Sequence, residues 1–447
     1  MVPPRRDPSG FYWGAARPSK TGEARPEKFF FGAATSSHQV EGNNYNDWSE
    51  WEHKTANSKS QMANRKNWPD YILNPQAGGP NPLQKENYIS GRACDHYNRY
   101  EEDFDIAKSL GHNAHRFSIE WSRIEPEQGK FNEKEIEHYW QVIKALRKRG
   151  IEPFVTLWHW TNPLWIRDIG GWENKKTVEY FLRYAGKIIQ TLGQEVKFWI
   201  PINEPTIYTG LAYVMGQFPP EKKNLFKADK VLKNFITAYK KTYLLLHKKL
   251  PGVMVGNANN IHCHLPFNKK SLLDKVAVKL LQYFRDWRNL KWTDGFEDFI
   301  GLNYYFLDTI KVVPFNGRFI LFDVRNPNKW ISDMGWEIYP EGIYHNLKKL
   351  KEKNLPIYIT ENGLADAKDE KRAKFIKNHL KWVHKAISEG VDVRGYFYWS
   401  LLDNFEWDKG FWPRFGLVEV NYKTMERKIR PSALEYKKII EANAITE

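Results

Sequence analysis

Seven times along this chain a helix-like stretch ends at a Gly or Asn, and a short apolar run of β-formers follows within a few residues. Gly111 precedes His112–Ile119, Gly150 precedes Ile151–Trp158, Gly193 precedes Val196–Ile202 and Gly252 precedes Val253–Asn257. Gly295 then precedes Phe299–Tyr304, Asn354 precedes Ile357–Thr360, and Gly390 precedes Val391–Trp399. These punctuating residues recur every 36 to 59 positions, enough for a strand, a loop and a helix. Gly takes the left-handed position after a helix without a steric cost. With Phe29–Thr35 in front, eight strand candidates alternate with helices. Each is a nearly continuous apolar run, as expected of a parallel sheet covered on both faces. Eight β/α units favour an α/β fold of the (β/α)8 TIM barrel type over a doubly wound sheet. A chain of 447 residues has room for about three average domains, but the repeat runs through nearly all of it. One barrel over residues 27–447 is therefore expected, with residues 1–26 as an extension of unassigned order.

The intervening helices carry their own signals. Asn132-Glu133-Lys134-Glu135 reads as a capping box, after which Ile136, Tyr139, Ile143 and Leu146 fall on one face. Asp95 is placed to cap a helix with Tyr97, Tyr100, Phe104, Ala107 and Leu110 on its apolar side. Residues 43–93, rich in Asn, Pro, Lys and Trp, form a long connection that leaves the C-terminal end of the first strand. That origin predicts a wall for a pocket.

Charge and cysteine content narrow the function classes. No apolar run approaches the roughly 18–20 residues that span a bilayer, so no membrane partner is expected. The N-terminal Met-Val-Pro-Pro-Arg-Arg-Asp has no apolar segment behind its basic residues, which argues against a secretory leader. Cys94 and Cys263 are the only two cysteines, too few for a disulfide scaffold or a multi-cysteine zinc site, and they fit the cytoplasm. The 68 Lys and Arg against 53 Asp and Glu leave a net charge of +15. Much of that excess lies in stretches such as Lys348–Lys353 and Lys371–Lys385, interleaved with apolar residues at helical spacing. This is the pattern of a solvated helix face, and no nucleic-acid motif accompanies it.

Barrel chemistry gathers where the strands end. Along that edge lie Gln39 past the first strand, Arg116 in the second, and His159 after the third. Asn203 and Glu204 follow the fourth, Asn303 and Tyr305 the sixth, Glu361 the seventh, and Trp399, Glu406 and Trp407 the eighth. Glu204 and Glu361 are 157 residues apart in sequence but would face each other across a barrel mouth. Two opposed carboxyl groups, ringed by polar and aromatic side chains, are what cleavage of a sugar acetal requires. Each motif alone has a plainer explanation: Asn-Gly after Glu361 is a common turn, and His159 between two tryptophans fits a core position. Arg116 is sharper, because an arginine inside a barrel strand needs a carboxylate partner.

Taken together, the motifs resemble glycoside hydrolase family 1, the retaining β-glycosidases. The resemblance rests on the run Phe31–Gly42, Arg116–Arg123, Thr156–Trp160, Asn203-Glu204-Pro205, Gly301–Tyr305, Ile359–Gly363, Tyr398–Trp407 and Arg414–Leu417. It implies Glu204 as acid/base and Glu361 as nucleophile, with Arg116, Asn303 and Tyr305 supporting the nucleophile. It further implies Asn203 on the sugar 2-hydroxyl, Gln39, His159, Glu406 and Trp407 on the remaining hydroxyls, and Trp399 as the platform under the ring. The implied substrate is a terminal β-glucoside or short β-linked oligosaccharide, with galactoside or fucoside also open; no metal or organic cofactor is implied. Pro201 and the 43–93 and 257–299 connections depart from many members and bear on the aglycone side. A 6-phospho-β-glycosidase is disfavoured because Glu406 would face the phosphate. A non-catalytic sugar-binding barrel is disfavoured because both glutamates are present, and a transglycosylase shares every residue named.

Overall fold

The computed structural model describes residues 29–315, 318–323 and 330–445; the 1–26 extension lies outside them. Eight parallel strands close on themselves in the order β1-β8-β7-β6-β5-β4-β3-β2. They are β1 (Phe30–Ala34), β2 (Ala114–Ser118), β3 (Glu152–Trp158), β4 (Phe198–Ile202), β5 (Met254–Asn260), β6 (Phe299–Asn303), β7 (Ile357–Gly363) and β8 (Val393–Trp399). Each coincides with one of the eight expected runs. Closure comes from β1 pairing β8 on one side (Gly32 opposite Phe397) and β2 on the other (Gly32 opposite Ala114).

Aromatic rings fill the floor of the barrel. Phe154 and Phe198 stack at 4.2 Å, and Phe30, Phe299, Tyr358 and Phe397 all have centroids within 6.3 Å of Phe154. Such a layer leaves no room for a second bulky residue at the same height. At Gly395 an added Cβ would lie 2.9 Å from the Tyr358 ring and 3.1 Å from the Phe30 Cβ, so the strand carries hydrogen there. Above this plug the interior turns polar, and the site begins.

The helical signals hold in pattern more than in detail. The helix Glu133–Lys148 buries Ile136, Tyr139, Ile143 and Leu146, and the Asn132 side chain accepts from the Lys134 and Glu135 amides. The return half of the capping box is not made. Glu135 instead accepts from the Tyr97 hydroxyl at 3.2 Å and lies 3.7 Å from Arg123, stronger partners than one backbone amide. Asp95 does not cap its helix, His96–Ser109. It lies in left-handed geometry, with φ +56°, and its carboxylate accepts from Arg92 and Asn98.

The 43–93 connection is not a bare loop. It holds the 17-residue helix Asp47–Ala63 and the short turns Asp70–Leu73 and Lys85–Tyr88. Asn46 caps the long helix, with Ser49 completing the box. Outside the barrel a three-stranded sheet, Cys263–Pro266 with Leu307–Phe315 and Arg318–Asp323, extends the loops after β5 and β6. Pro201 lies within β4 without breaking it, since Ile200 and Ile202 on either side stay in register with β3. Among the described residues no helix is long and apolar enough to cross a membrane.

Candidate active site

β2, with Arg116 at its centre, opens the polar layer. A guanidinium only 1% exposed is tolerable only if every N–H finds an acceptor. Nη1 donates to Glu361 Oε1 at 2.5 Å, Nη2 to Asn203 Oδ1 at 2.6 Å, and Nε to Thr156 Oγ1 at 3.2 Å. One side chain thereby ties the ends of β3, β4 and β7 together. The Tyr305 hydroxyl donates to the other oxygen of Glu361 at 2.5 Å. Glu361 thus has a cation on one oxygen and a phenol on the other.

Glu204 stands differently. It follows β4 in left-handed geometry at φ +43°, a strained conformation for a residue with a Cβ. Its Oε1 accepts from the amides of Asn303 at 2.7 Å and Asn260 at 3.0 Å. Among the described residues no cation pairs with it directly. Trp160 (φ +79°) and Trp407 (φ +49°) share this strained backbone region, so three non-glycine residues around one pocket are held off the usual minima.

Burial raises both carboxyl groups, and the charge of Glu361 raises Glu204 further, to about 8. At Glu361 the nearby guanidinium and the phenolic hydroxyl oppose the effect of burial. Two buried carboxyl groups that act on one another do not both ionise near neutral pH, and the cation beside Glu361 favours the charge there. These opposed effects favour the proton on Glu204 and the charge on Glu361.

The remaining residues form the walls. Asn203 Nδ2 donates to His159 Nε2 at 3.2 Å; burial and Arg116 hold that imidazole well below its usual pKa, so it is neutral and accepts. The His159 ring lies nearly parallel to Trp399 and Trp407, with centroids 6.0 Å away in each case. His159 is therefore part of the site rather than an isolated core histidine. Gln39 accepts from Ser36 at 2.6 Å and donates to the Phe405 carbonyl at 2.9 Å and to Glu406 at 3.3 Å. Every residue named from the sequence converges on this one mouth.

The family-1 model (Glycosyl hydrolase family 1) matches residues 22–294 and 285–445. The chain belongs to that family. The 1,4-β-D-glucan glucohydrolase of Thermotoga neapolitana is 33% identical over 94% of this chain and 99% of its own length. Among solved structures, a β-glycosidase from Pyrococcus horikoshii is 39% identical with a TM-score of 0.83, covering 95% of this chain and 96% of that one. A β-glucosidase from Thermotoga maritima in complex with castanospermine is 31% identical, TM-score 0.79, covering 95% and 99%. The chain is accordingly a glycoside hydrolase, and a retaining mechanism is characteristic of its family.

Four contributors to this family-1 site escape a reading of the strand ends. Asn260 reaches Glu204 because β5 runs on through Asn257-Ala-Asn-Asn260, a stretch too polar to read as barrel strand. Its asparagines are paired: Asn257 donates to Thr293 at 2.9 Å and to Glu297, and Asn289 donates to Asn259. Thr360 orients Asn303, its hydroxyl donating to the amide oxygen at 2.6 Å. Trp48, from the helix after β1, packs 4.6 Å from Trp407, and Asn87 donates to the Lys409 carbonyl at 2.8 Å. The long connection therefore buttresses the Glu406–Trp407 segment from behind. No motif at Trp48 announced that contact; only its origin at the C-terminal edge of β1 hinted at it.

Proposed function

We propose that residues 27–447 act as one catalytic unit removing the terminal non-reducing β-D-glucosyl group from an unphosphorylated β-glucoside or short β-linked oligosaccharide. The observation that carries this reading is the asymmetry of the two carboxyl groups: Glu361 lies between Arg116 and Tyr305, whereas among the described residues Glu204 accepts only from the Asn303 and Asn260 amides and keeps its proton to about 8. Glu361 attacks the anomeric carbon while Glu204 protonates the departing oxygen. The glycosyl ester that forms neutralises Glu361, which lowers the pKa of Glu204 and lets it deprotonate the incoming water. Two inversions at one carbon give net retention. Each proton transfer falls to a side chain of this chain, and no cofactor takes part.

Asn203 is suited to the 2-hydroxyl, since Arg116 fixes its oxygen and, beside the amide hydrogen given to His159, the second is left for donation. Gln39, His159, Glu406 and Trp407 suit the 3-, 4- and 6-hydroxyls, and Trp399 gives the ring a flat face. His159 Nδ1 has no partner among the described residues and is a donor whenever Nε2 accepts. Closure of that end by Glu406 and Trp407 supports exo action. Unpaired Cys94 and Cys263, both buried, support a cytoplasmic setting.

The charge argument against a 6-phosphorylated sugar needs one adjustment. Burial, with Asp408 and Glu361 nearby, pushes Glu406 to about 8, so it is largely protonated at neutral pH and does not present a full anion. What disfavours phosphate is the surrounding field: the hydrogen-bond partners of Glu406 are the neutral Gln39 and Asn404. Lys409, the cation that acts on Glu406, is itself paired with Asp408. An aryl β-glucoside should therefore be cleaved with a kcat/KM at least about tenfold above its 6-phosphate, because burying a phosphate without a free cation costs more than the ~1.4 kcal/mol that a tenfold change represents. The reverse ranking, in a panel of nitrophenyl glycosides that also includes galactoside and fucoside, overturns the substrate assignment.

Tyr305→Phe removes a donor from the charged form of Glu361. Its carboxyl pKa rises, and because the reaction needs the anion, the acidic limb of the kcat/KM–pH profile should move up by about one unit. The basic limb, set by loss of the Glu204 proton near 8, should move little. An acidic limb that stays in place shows the phenol is not holding Glu361 ionised.

A further inference from the structure

Beside the barrel mouth one helix is turned inside out. Leu272–Leu281 follows the strand Cys263–Pro266, which leaves the C-terminal end of β5. Its acid, Asp274, is 3% exposed and accepts from the amides of Val312 at 2.9 Å and Asn268 at 3.0 Å. Ala277 and Val278 face inward with it. That fixes the rotation of the helix and sends its large apolar residues outward. Leu272, Leu273, Val276, Leu280, Tyr283 and Phe284 are between 43% and 73% exposed, at the spacing of a single helical stripe. Across the Arg288–Asp229 ion pair lie Leu225 and Phe226, exposed by 70% and 90%. Scattered exposed leucines need no explanation, but a continuous stripe does.

Along the segment that carries the stripe, the exposed charge is of one sign. Between Phe267 and Trp292 the only carboxylates are Asp274 and Asp286, and both are buried, Asp286 against His264 at 3.0 Å. Lys269, Lys270, Lys275 and Lys279 are exposed, and none forms an ion pair among the described residues. An outward apolar ridge fringed by free lysines, with the helix's own acid buried and the half-exposed Asp229 paired to Arg288 and Lys233, is the pattern of a helix lying in a membrane interface, with ammonium groups at the headgroups.

We propose that this face docks on an anionic phospholipid surface, holding the barrel mouth at the bilayer. A second copy of the chain fits less well, because a two-fold contact would set the lysine fringe against itself. The proposal departs from the expectation of no membrane partner, which rested on the lack of a spanning segment; an interfacial helix needs none. It is independent of which glycoside is cleaved.

Flotation of the full chain with vesicles tests it. Binding to phosphatidylcholine vesicles containing about a third phosphatidylglycerol should exceed binding to pure phosphatidylcholine by tenfold or more, and should fall with salt, as expected for cationic side chains near anionic lipid. The variant Leu273→Ser/Leu280→Ser/Phe284→Ser should lose that binding at least tenfold while keeping its thermal midpoint and its rate on a soluble aryl glucoside. Should it fold poorly, Lys269→Gln/Lys270→Gln/Lys275→Gln/Lys279→Gln must weaken binding to the anionic vesicles alone. Absence of binding to either vesicle, equal binding to both, or binding unchanged in both variants overturns the proposal. A concentration-dependent dimer lost in the triple variant, with vesicles left bare, assigns the face to a second copy and overturns it equally.

Discussion

Glu361→Gln should lower kcat on an activated aryl β-glucoside by about four orders of magnitude or more, with the fold intact. Removal of a covalent nucleophile leaves only binding and electrostatic assistance, so losses of this size are expected. The amide is nearly isosteric: its one oxygen can still accept from Arg116 while its NH2 donates to the Tyr305 hydroxyl, the two groups that contact Glu361 at 2.5 Å each. What it cannot do is attack. Circular dichroism and a thermal midpoint close to the wild type would show that the barrel survives. A variant retaining even a tenth of the rate would remove Glu361 from the nucleophile's role and, with it, the whole two-step scheme.

Glu204→Ala should separate the two steps. For a substrate whose leaving group needs protonation, loss of the acid costs about 10²- to 10⁴-fold. A dinitrophenyl glucoside needs little protonation, so its first step should remain fast and the glycosyl ester should accumulate, with KM falling alongside kcat. Azide, which attacks without a general base, should restore turnover and yield the β-glycosyl azide. An α-azide product would contradict double displacement. Equal loss for good and poor leaving groups, with no rescue, would make Glu204 a structural residue rather than the acid. The geometry argues against that outcome, since among the described residues only the Asn303 and Asn260 amides hydrogen-bond its carboxyl group.

Arg116 shows why so much of the site was legible. A cation inside a strand is so costly that its partner must be close, and the partner is the glutamate that ends β7. The same logic located the barrel, because each strand has its own apolar run and its own helix terminator. Asn260 shows where legibility stops. A polar run at the end of β5 gave no strand signal, and its pairing with Glu297, Thr293 and Asn289 exists only once residues about 30 to 40 positions away fold against it. The helix Leu272–Leu281 is a second case, since its apolar residues at helical spacing look like those of any core-facing helix. The burial of Asp274 beneath the three-stranded sheet turns that face outward.

Periodic hydrophobicity, helix-ending glycines and the residues at strand ends are properties of local sequence. By themselves they determined the eightfold barrel and the set of side chains brought to its mouth. Which carboxyl group keeps its proton was decided only by tertiary structure, as was what braces Trp407 and which face of the outer helix meets water. Those outcomes depend on electric fields and contacts between groups that are distant in the chain. A pKa near 8 at Glu204 arises from burial and from a neighbour 157 residues away, and no local pattern encodes it.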